Sequence, residues 1–381
     1  MAVTPLTPPE SSRCADAVYA GLQADDLGEF SELAATRLPP GFSPTGGLIQ
    51  ANTGPSRTSN FAVVLNRGST GEKVVTIRGT EFTSKQDWLT NFNIGMIPGP
   101  TAFPVHAGFG FTYNSMKDKI RSGVNGTNVV HVCGHSLGGA LATLCAADLQ
   151  ARGHTCYLYT YGAPRPAPTP FTAHLSYKLR GRIYRVHDRG DPVPMIPLFP
   201  FVHAPLFGSS YLVGPNRSSI SADHHAMDKS YIASADKAGT WNAMRTAFDD
   251  SRLQFGPAYW LEKAGEATRI PGAGWGLWAL GKAIEAIFKV IGIGVQALVG
   301  APMTVLDMLA WALQRAVQIG SEISSWVMSW VRTAMRWMGR AVEVGETVTQ
   351  SFLRYVLELF ARAMATAARA ALDALERRGR A

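Results

Sequence analysis

The β-branched run NVVHVC (128–133) runs into Gly134-His135-Ser136-Leu137-Gly138, and LGGALATLCAADLQ continues with helix formers. A strand, a glycine-fenced serine and a helix in that order leave few folds open. In such a turn the serine takes a strained backbone that projects its hydroxyl. Gly134 and Gly138 are needed because strand and helix backbones pass closely there. The helix N-terminus adds a positive dipole where an oxyanion would develop. A glycine-rich turn with a serine N-cap is the plainer reading. The strand before, the helix after and the further Gly139 speak against it.

The remaining pattern agrees with an α/β layer structure. Strands are expected at FAVVLN (61–66), KVVTIRG (73–79), TCYLYTYG (155–162) and RIYRVHD (182–188), with RGSTGE as a hairpin connection. Several are continuous apolar runs, which suits strands covered on both faces of a mostly parallel sheet. Helical patterns cover 10–24, 84–94, 107–122, 137–151 and 223–248. The expected class is α/β, a mostly parallel central sheet flanked by helices, filling a domain over 1–255.

A serine alone is a poor nucleophile, so a base and an orienting acid must lie elsewhere. On an elbow of this type the chain order is serine, then acid, then histidine. RVHDRGDPVPMIP offers Asp188 and Asp191 just past a strand; Asp191 is favoured because Pro-Val-Pro would hold its loop rigid. His203, His224 and His225 lie downstream, with His225 preferred and His224 the alternative base. Leu137, after the nucleophile, supplies one backbone N–H for an oxyanion. Thr80, at the end of VVTIRGT, is the candidate for the second. His106, His131 and His135 read as structural, His135 as part of the elbow wall.

These pieces together resemble the class 3 lipases. TIRGTEF is similar to that family's oxyanion segment, DWLTNF to the following helix, and VHAGFGFTY to its V-H-x-G-F block. VCGHSLGGALATL matches its elbow, YTYGAPRP its Y-G-x-P-R strand end, HDRGDPVPMIP its D-x-V-P loop, and HAMD its histidine block. The resemblance spans roughly 55–235. It implies an α/β-hydrolase fold, with Ser136 as nucleophile, Asp191 as acid, His225 as base, and Thr80 with Leu137 as oxyanion hole. It implies a triacylglycerol lipase that cleaves lipid esters without cofactor or metal, with phospholipase A-type activity as a competitor if the C-terminal region seeks a bilayer. The sequence departs from the family at Pro166-Ala-Pro168 and in HAMDKSY, which has one more residue before its tyrosine. FTSKQDW is also short, leaving little chain for a large lid.

Residues 272–381 lie outside that resemblance and form a helical, tryptophan-rich hydrophobic region. Seven of the nine tryptophans fall there or just before it, and helices are expected to break near Pro271, Gly300–Pro302 and Gly345. On 326–341, Trp326, Trp330 and Trp337 lie within about 40° of one another at helical spacing. Arg332, Arg336 and Arg340 form a second stripe. An aromatic face flanked by arginines suits a helix lying in a membrane surface; a bundle core with outward arginines is the other reading. The apolar stretch 287–313 is interrupted by Lys289, Asp307 and a Gly-Ala-Pro.

Only 17% of the chain is charged, and the net charge is +8. The absence of Lys/Arg runs interleaved with aromatics argues against nucleic acid and leaves anionic lipid surfaces or simple solubility as readings of the charge. The four cysteines match no zinc or redox spacing, and free thiols suit a reducing compartment. With no apolar leader, the expectation is a chain retained in the cytoplasm at a membrane, with signal-less export as the alternative. A membrane-binding or pore-forming module on a hydrolase scaffold, or a lipase delivered into other cells, are the competing functions.

Overall fold

The structure is a computed structural model that describes residues 3–54, 57–79, 95–206, 210–214, 220–245, 256–268, 275–291, 304–340 and 348–379. Seven strands form the central sheet: β1 (Phe42–Gly54), β2 (Arg57–Arg67), β3 (Lys73–Ile77), β4 (Val129–His135), β5 (Thr155–Tyr161), β6 (Ile183–Asp188) and β7 (Tyr211–Val213). They lie in that spatial order. Pairing is antiparallel from β1 through β3 and parallel from β3 through β7. The apolar runs of β3, β4 and β5 are buried because helices cover both faces of the sheet.

Helices α1 (Pro8–Ala17), α2 (Ala107–Gly123) and α3 (Leu137–Ala151) flank the sheet. Helix α1 starts on a capping box in which Thr7 and Glu10 satisfy each other's backbone N–H groups. Helix α3 is sheathed along nearly its whole length, which its run of Ala, Leu and Cys allows. The segment 42–54, for which no element was expected, is an edge strand. One expectation is corrected. The single helix expected over 223–248 is a broken series: α4 (Ala222–His225), a π-helix over Met227–Ile232, then short helices Ala233–Ala238 and Trp241–Met244. The expected helix 84–94 and the short FTSKQDW segment lie outside the described residues.

Beyond the sheet come α5 (Pro257–Ala267), α6 (Trp275–Ile291), α7 (Val305–Ile319), α8 (Ser321–Trp337) and α9 (Gln350–Gly379). Helix α5 falls inside the stretch read as a boundary, and the α7–α8 break comes at Gly320. The breaks expected at Pro271, 300–302 and Gly345 lie outside the described residues. Among the described residues no helix is long and apolar enough to cross a membrane.

The tryptophan stripe turns inward. Trp330 is fully buried and donates its Nε1–H to the Leu280 carbonyl at 3.0 Å. The Trp337 ring lies so close to Gly276 that a Cβ there would sit 2.2 Å from it. Arg332, Arg336 and Arg340 face solvent. Aromatic periodicity therefore marks the bundle core here, correcting the reading of this face as a membrane contact.

The bundle's core continues into the loop after β6. Val193, Met195, Ile196, Leu198, Phe199 and Val202 share one apolar cluster with α5 through α9. Phe199 stacks on Phe288 of α6 at 5.0 Å. Beside this seam, Glu285 of α6 faces Arg165, which follows β5, at 4.0 Å and Lys289 at 3.0 Å. Burial alone would raise the Glu285 carboxyl, but Lys282, Lys289 and Arg165 outweigh it and hold it down at about 2. Helix α9 packs directly on α4 and on the 193–195 turn, so the helical region rests against the loops that carry Asp191 and His225.

The elbow is the tightest crossing in the sheet. A Cβ on Gly138 would lie 2.0 Å from the Ile77 carbonyl oxygen, and one on Gly134 would lie 2.2 Å from that of Gly138. These contacts are with backbone, which cannot rotate away. Gly138→Ala should therefore destabilise the fold by about 4 kcal/mol or more, the range reserved for severe core damage. Urea unfolding measures this; a loss under about 1 kcal/mol would contradict the crossing.

Candidate active site

Ser136 sits at the apex between β4 and α3 with φ 56° and ψ −136°, a left-handed backbone rare for a residue with a side chain. Its N–H donates to the Tyr161 carbonyl at 2.9 Å, and its carbonyl accepts from Gly139 N–H at 2.9 Å. Those bonds and the crossing glycines hold the strained turn. Leu137 is the first residue of α3, so its N–H belongs to the unsatisfied first turn, as expected of an oxyanion donor. Thr80 lies outside the described residues. Its neighbour Gly79 does not: a Cβ there would meet Ser136 Cβ at 2.9 Å, so the end of this strand segment passes directly over the serine.

Asp191 follows β6 in a turn closed by its N–H on the Asp188 carbonyl at 3.2 Å. Its Oδ1 accepts Val193 N–H at 2.9 Å. Its Oδ2 accepts His225 Nδ1 at 2.7 Å and Tyr231 Oη at 2.5 Å. Three donors hold one buried carboxylate in a single orientation. Gly162, at φ +55°, makes room for this group: a Cβ there would stand 2.7 Å from Asp191 Oδ2 and 3.1 Å from His225 Nδ1.

Tyr231 reaches Asp191 in spite of the extra residue in HAMDKSY. The π-helix over Met227–Ile232 takes up that residue in its wider turn and returns the ring to the carboxylate. Burial, then the charge of Asp191, pushes the Tyr231 hydroxyl well above its ordinary range, so it stays protonated and donates.

His225 and Ser136 are both almost fully buried. His225 Nε2 and Ser136 Oγ have no hydrogen-bond partner among the described residues, and no hydrogen bond joins them in this structure. With Nδ1 committed to Asp191, Nε2 is the ring atom left for proton transfer.

A second chain of bonds ties the elbow to the oxyanion segment. His135 Nε2 meets the His225 carbonyl at 2.9 Å, and a carbonyl only accepts, so this nitrogen carries the proton. Nδ1 must then accept from Tyr19 Oη at 2.8 Å, and that oxygen accepts Gly79 N–H at 3.0 Å. Burial, then the neighbouring His225, drives His135 well below the usual imidazole range and keeps it neutral, as this chain requires. His135 was expected in the elbow wall; Tyr19 and Tyr231 were not singled out by sequence reasoning. Tyr231 was visible in the HAMDKSY block, whereas Tyr19 carried no local signal.

The other candidates are placed elsewhere. His203 is half-buried, its Nε2 on the Pro194 carbonyl at 2.8 Å, and desolvation drives its ring well below the ordinary imidazole range. His224 pairs with Asp188 at 2.9 Å.

The fold is of the α/β-hydrolase kind, with Ser136 at the strand-to-helix turn and the Asp191–His225 pair on the loops beyond it. The sequence model of the family described as Lipase (class 3) matches residues 74–201. The secreted mono- and diacylglycerol lipase 1 of Fusarium solani is 32% identical over 169 residues, 42% of this chain and 49% of that protein. The lipase of Rhizomucor miehei is 32% identical over 162 residues, 38% and 43% of the two chains. Among solved structures, the mono- and diacylglycerol lipase from Aspergillus oryzae aligns at 22% identity and a TM-score of 0.44, covering 62% of this chain and 92% of that one. The chain spans about half the length or less of the first two relatives.

These relatives correct one expectation. The Fusarium solani and Penicillium cyclopium proteins are named as secreted lipases, which overturns the reading of a chain kept in the cytoplasm at a membrane. That reading leaned on the lack of an apolar leader and, in part, on free thiols. All four are buried, and burial pushes each thiol up, Cys156 to about 12. Sealed, un-ionised thiols resist oxidation in any compartment, so they carry no information on location.

Proposed function

We propose that this chain is a serine carboxylic-ester hydrolase that cleaves lipid esters through an acyl-enzyme, outside the cell that makes it. Ser136 Oγ attacks the ester carbonyl while His225 Nε2 takes its proton. Asp191 holds the imidazole by Nδ1–H and stabilises the imidazolium. The N–H groups of Leu137 and Thr80 receive the developing oxyanion. His225 then returns its proton to the departing alcohol, and water, activated by the same nitrogen, releases the acid. The observation that supports this most directly is the Asp191–His225 contact of 2.7 Å with Val193 and Tyr231 fixing the carboxylate.

For the substrate, the names of the relatives favour acylglycerols over phospholipids. Contact with a lipid surface is assigned to the outer side of the helical region, where Trp311 is 45% exposed with Arg315 stacked over it. A fluorophosphonate probe should label the full chain once, on the peptide that holds Ser136. Defined diacylglycerol and phosphatidylcholine, each as micelles and as vesicles, should then show fatty acid released chiefly from diacylglycerol. No labelling and no release would overturn the proposal; release chiefly from phosphatidylcholine would overturn the acylglycerol assignment.

A further inference from the structure

The site contains two aspartate–histidine pairs side by side, and only one has a place in the chemistry above. Asp188 ends β6 and Asp191 lies three residues on, in the loop that follows; His224 and His225 are neighbours on α4; Ser230 and Tyr231 are neighbours on the π-helix. Each member of one set has a counterpart in the other. His224 Nδ1 meets Asp188 Oδ1 at 2.9 Å, and Ser230 Oγ donates to Asp188 Oδ2 at 2.9 Å. Gly190 N–H supplies a third donor, at 2.8 Å. Even the glycine is repeated: a Cβ on Gly214, at φ +83°, would lie 2.4 Å from Asp188 Oδ2.

We propose that Asp188, His224 and Ser230 form a positioning dyad and strut that fixes the turn carrying His225, so that the His225 ring is held in the orientation Asp191 requires. The proposal rests on the reading of His225 as the base. Helix α4 is four residues long and has no side-chain N-cap, so it cannot hold its own conformation. Its position is set by what its side chains grip. Adjacent helical residues point about 100° apart, so His224 and His225 can grip two different carboxylates and remove the remaining rotation of the turn. Asp188 is 3% exposed while the His224 side chain is 19% exposed, which places the strut on the outer side of the site. The hydrogen bond to Asp188 raises His224 above the ordinary imidazole value, against the opposing effect of its partial burial. His224 does not touch the reacting atoms in this scheme; it acts through His225.

The test uses the full chain and p-nitrophenyl butyrate. His224→Ala should lower kcat about 10- to 100-fold, as for other groups that orient a working imidazole, with KM unchanged. His224→Asn sets an amide N–H where Nδ1–H stood and should recover most of that loss. His224→Gln sets its amide at the outer nitrogen's position and should not. Ser230→Ala, which removes the other side-chain donor to Asp188, should lower kcat in the same direction. A kcat for His224→Ala within twofold of the parent would overturn the proposal, as would equal losses in the Ala and Asn variants. A parent activity that survives Ser136→Ala is a different failure, that of the triad itself.

Discussion

Ser136→Ala should reduce kcat on p-nitrophenyl butyrate by about 10⁶-fold, the loss seen when the nucleophile of a serine hydrolase is removed. The remainder, about 10³- to 10⁴-fold over water, would come from the oxyanion donors and binding, which the substitution leaves in place. The variant is a clean test because alanine inherits the strained backbone on the same terms as serine. Ser136 Oγ makes no hydrogen bond among the described residues, so its removal orphans no partner there. The Ser136 N–H and carbonyl keep their bonds to Tyr161 and Gly139. The unfolding midpoint should accordingly stay within about 0.5 kcal/mol of the parent, as for changes that disturb no packing or pairing. A loss of activity smaller than tenfold would remove Ser136 from the mechanism.

The nucleophile was legible because its signal is local. A β-branched run, a glycine-fenced serine and a helical run occupy one continuous stretch, and the switch of period shows in the residues themselves. Its partners were legible only as short lists. Which aspartate meets which histidine is decided where β6, α4 and the π-helix converge, and no spacing along the chain reports that. In the structure both histidines are engaged, His225 on Asp191 and His224 on Asp188. Tyr19 was invisible for the same reason: its value lies in a contact with His135, 116 residues away.

The elements missed or misread have identifiable causes. FSPTGGLIQANTG drew no strand expectation, since it has the glycine, proline and asparagine of a loop, yet edge pairing with β2 makes it a strand, where such residues are tolerated. The 223–248 stretch has helical spacing throughout, but the demand that Tyr231 reach Asp191 opens a wide turn at its start. Gly239, at φ +68°, ends the next helix. For 326–341, periodicity located the aromatic face correctly and could not say what it faces. The loop 193–202 settles that: its apolar side chains need a cover, and α5 through α9 provide it.

Asp191→Asn should lower kcat by about 10⁴-fold while leaving the fold intact, because it forces the wrong tautomer on His225. The direction follows from the donors around the group. Val193 N–H donates to Oδ1, so the asparagine oxygen must occupy that position and its NH₂ must take the place of Oδ2. That NH₂ then faces His225 Nδ1 and Tyr231 Oη, both of which donate in the native site. The histidine can satisfy it only by accepting at Nδ1, which moves the ring proton to Nε2. A protonated Nε2 cannot take the proton of Ser136. The tyrosine can turn its hydroxyl to accept, so the cost of the substitution falls on the tautomer. Tyr231→Phe is the control: it removes one donor, leaves Asp191 Oδ2 as the acceptor of His225 Nδ1–H, and should cost on the order of tenfold, the worth of one hydrogen bond to a charged group. Steady-state kinetics on both variants decide the point. Equal losses in the two would mean that Asp191 serves as a packing anchor, and that the tautomer of His225 is set by another group.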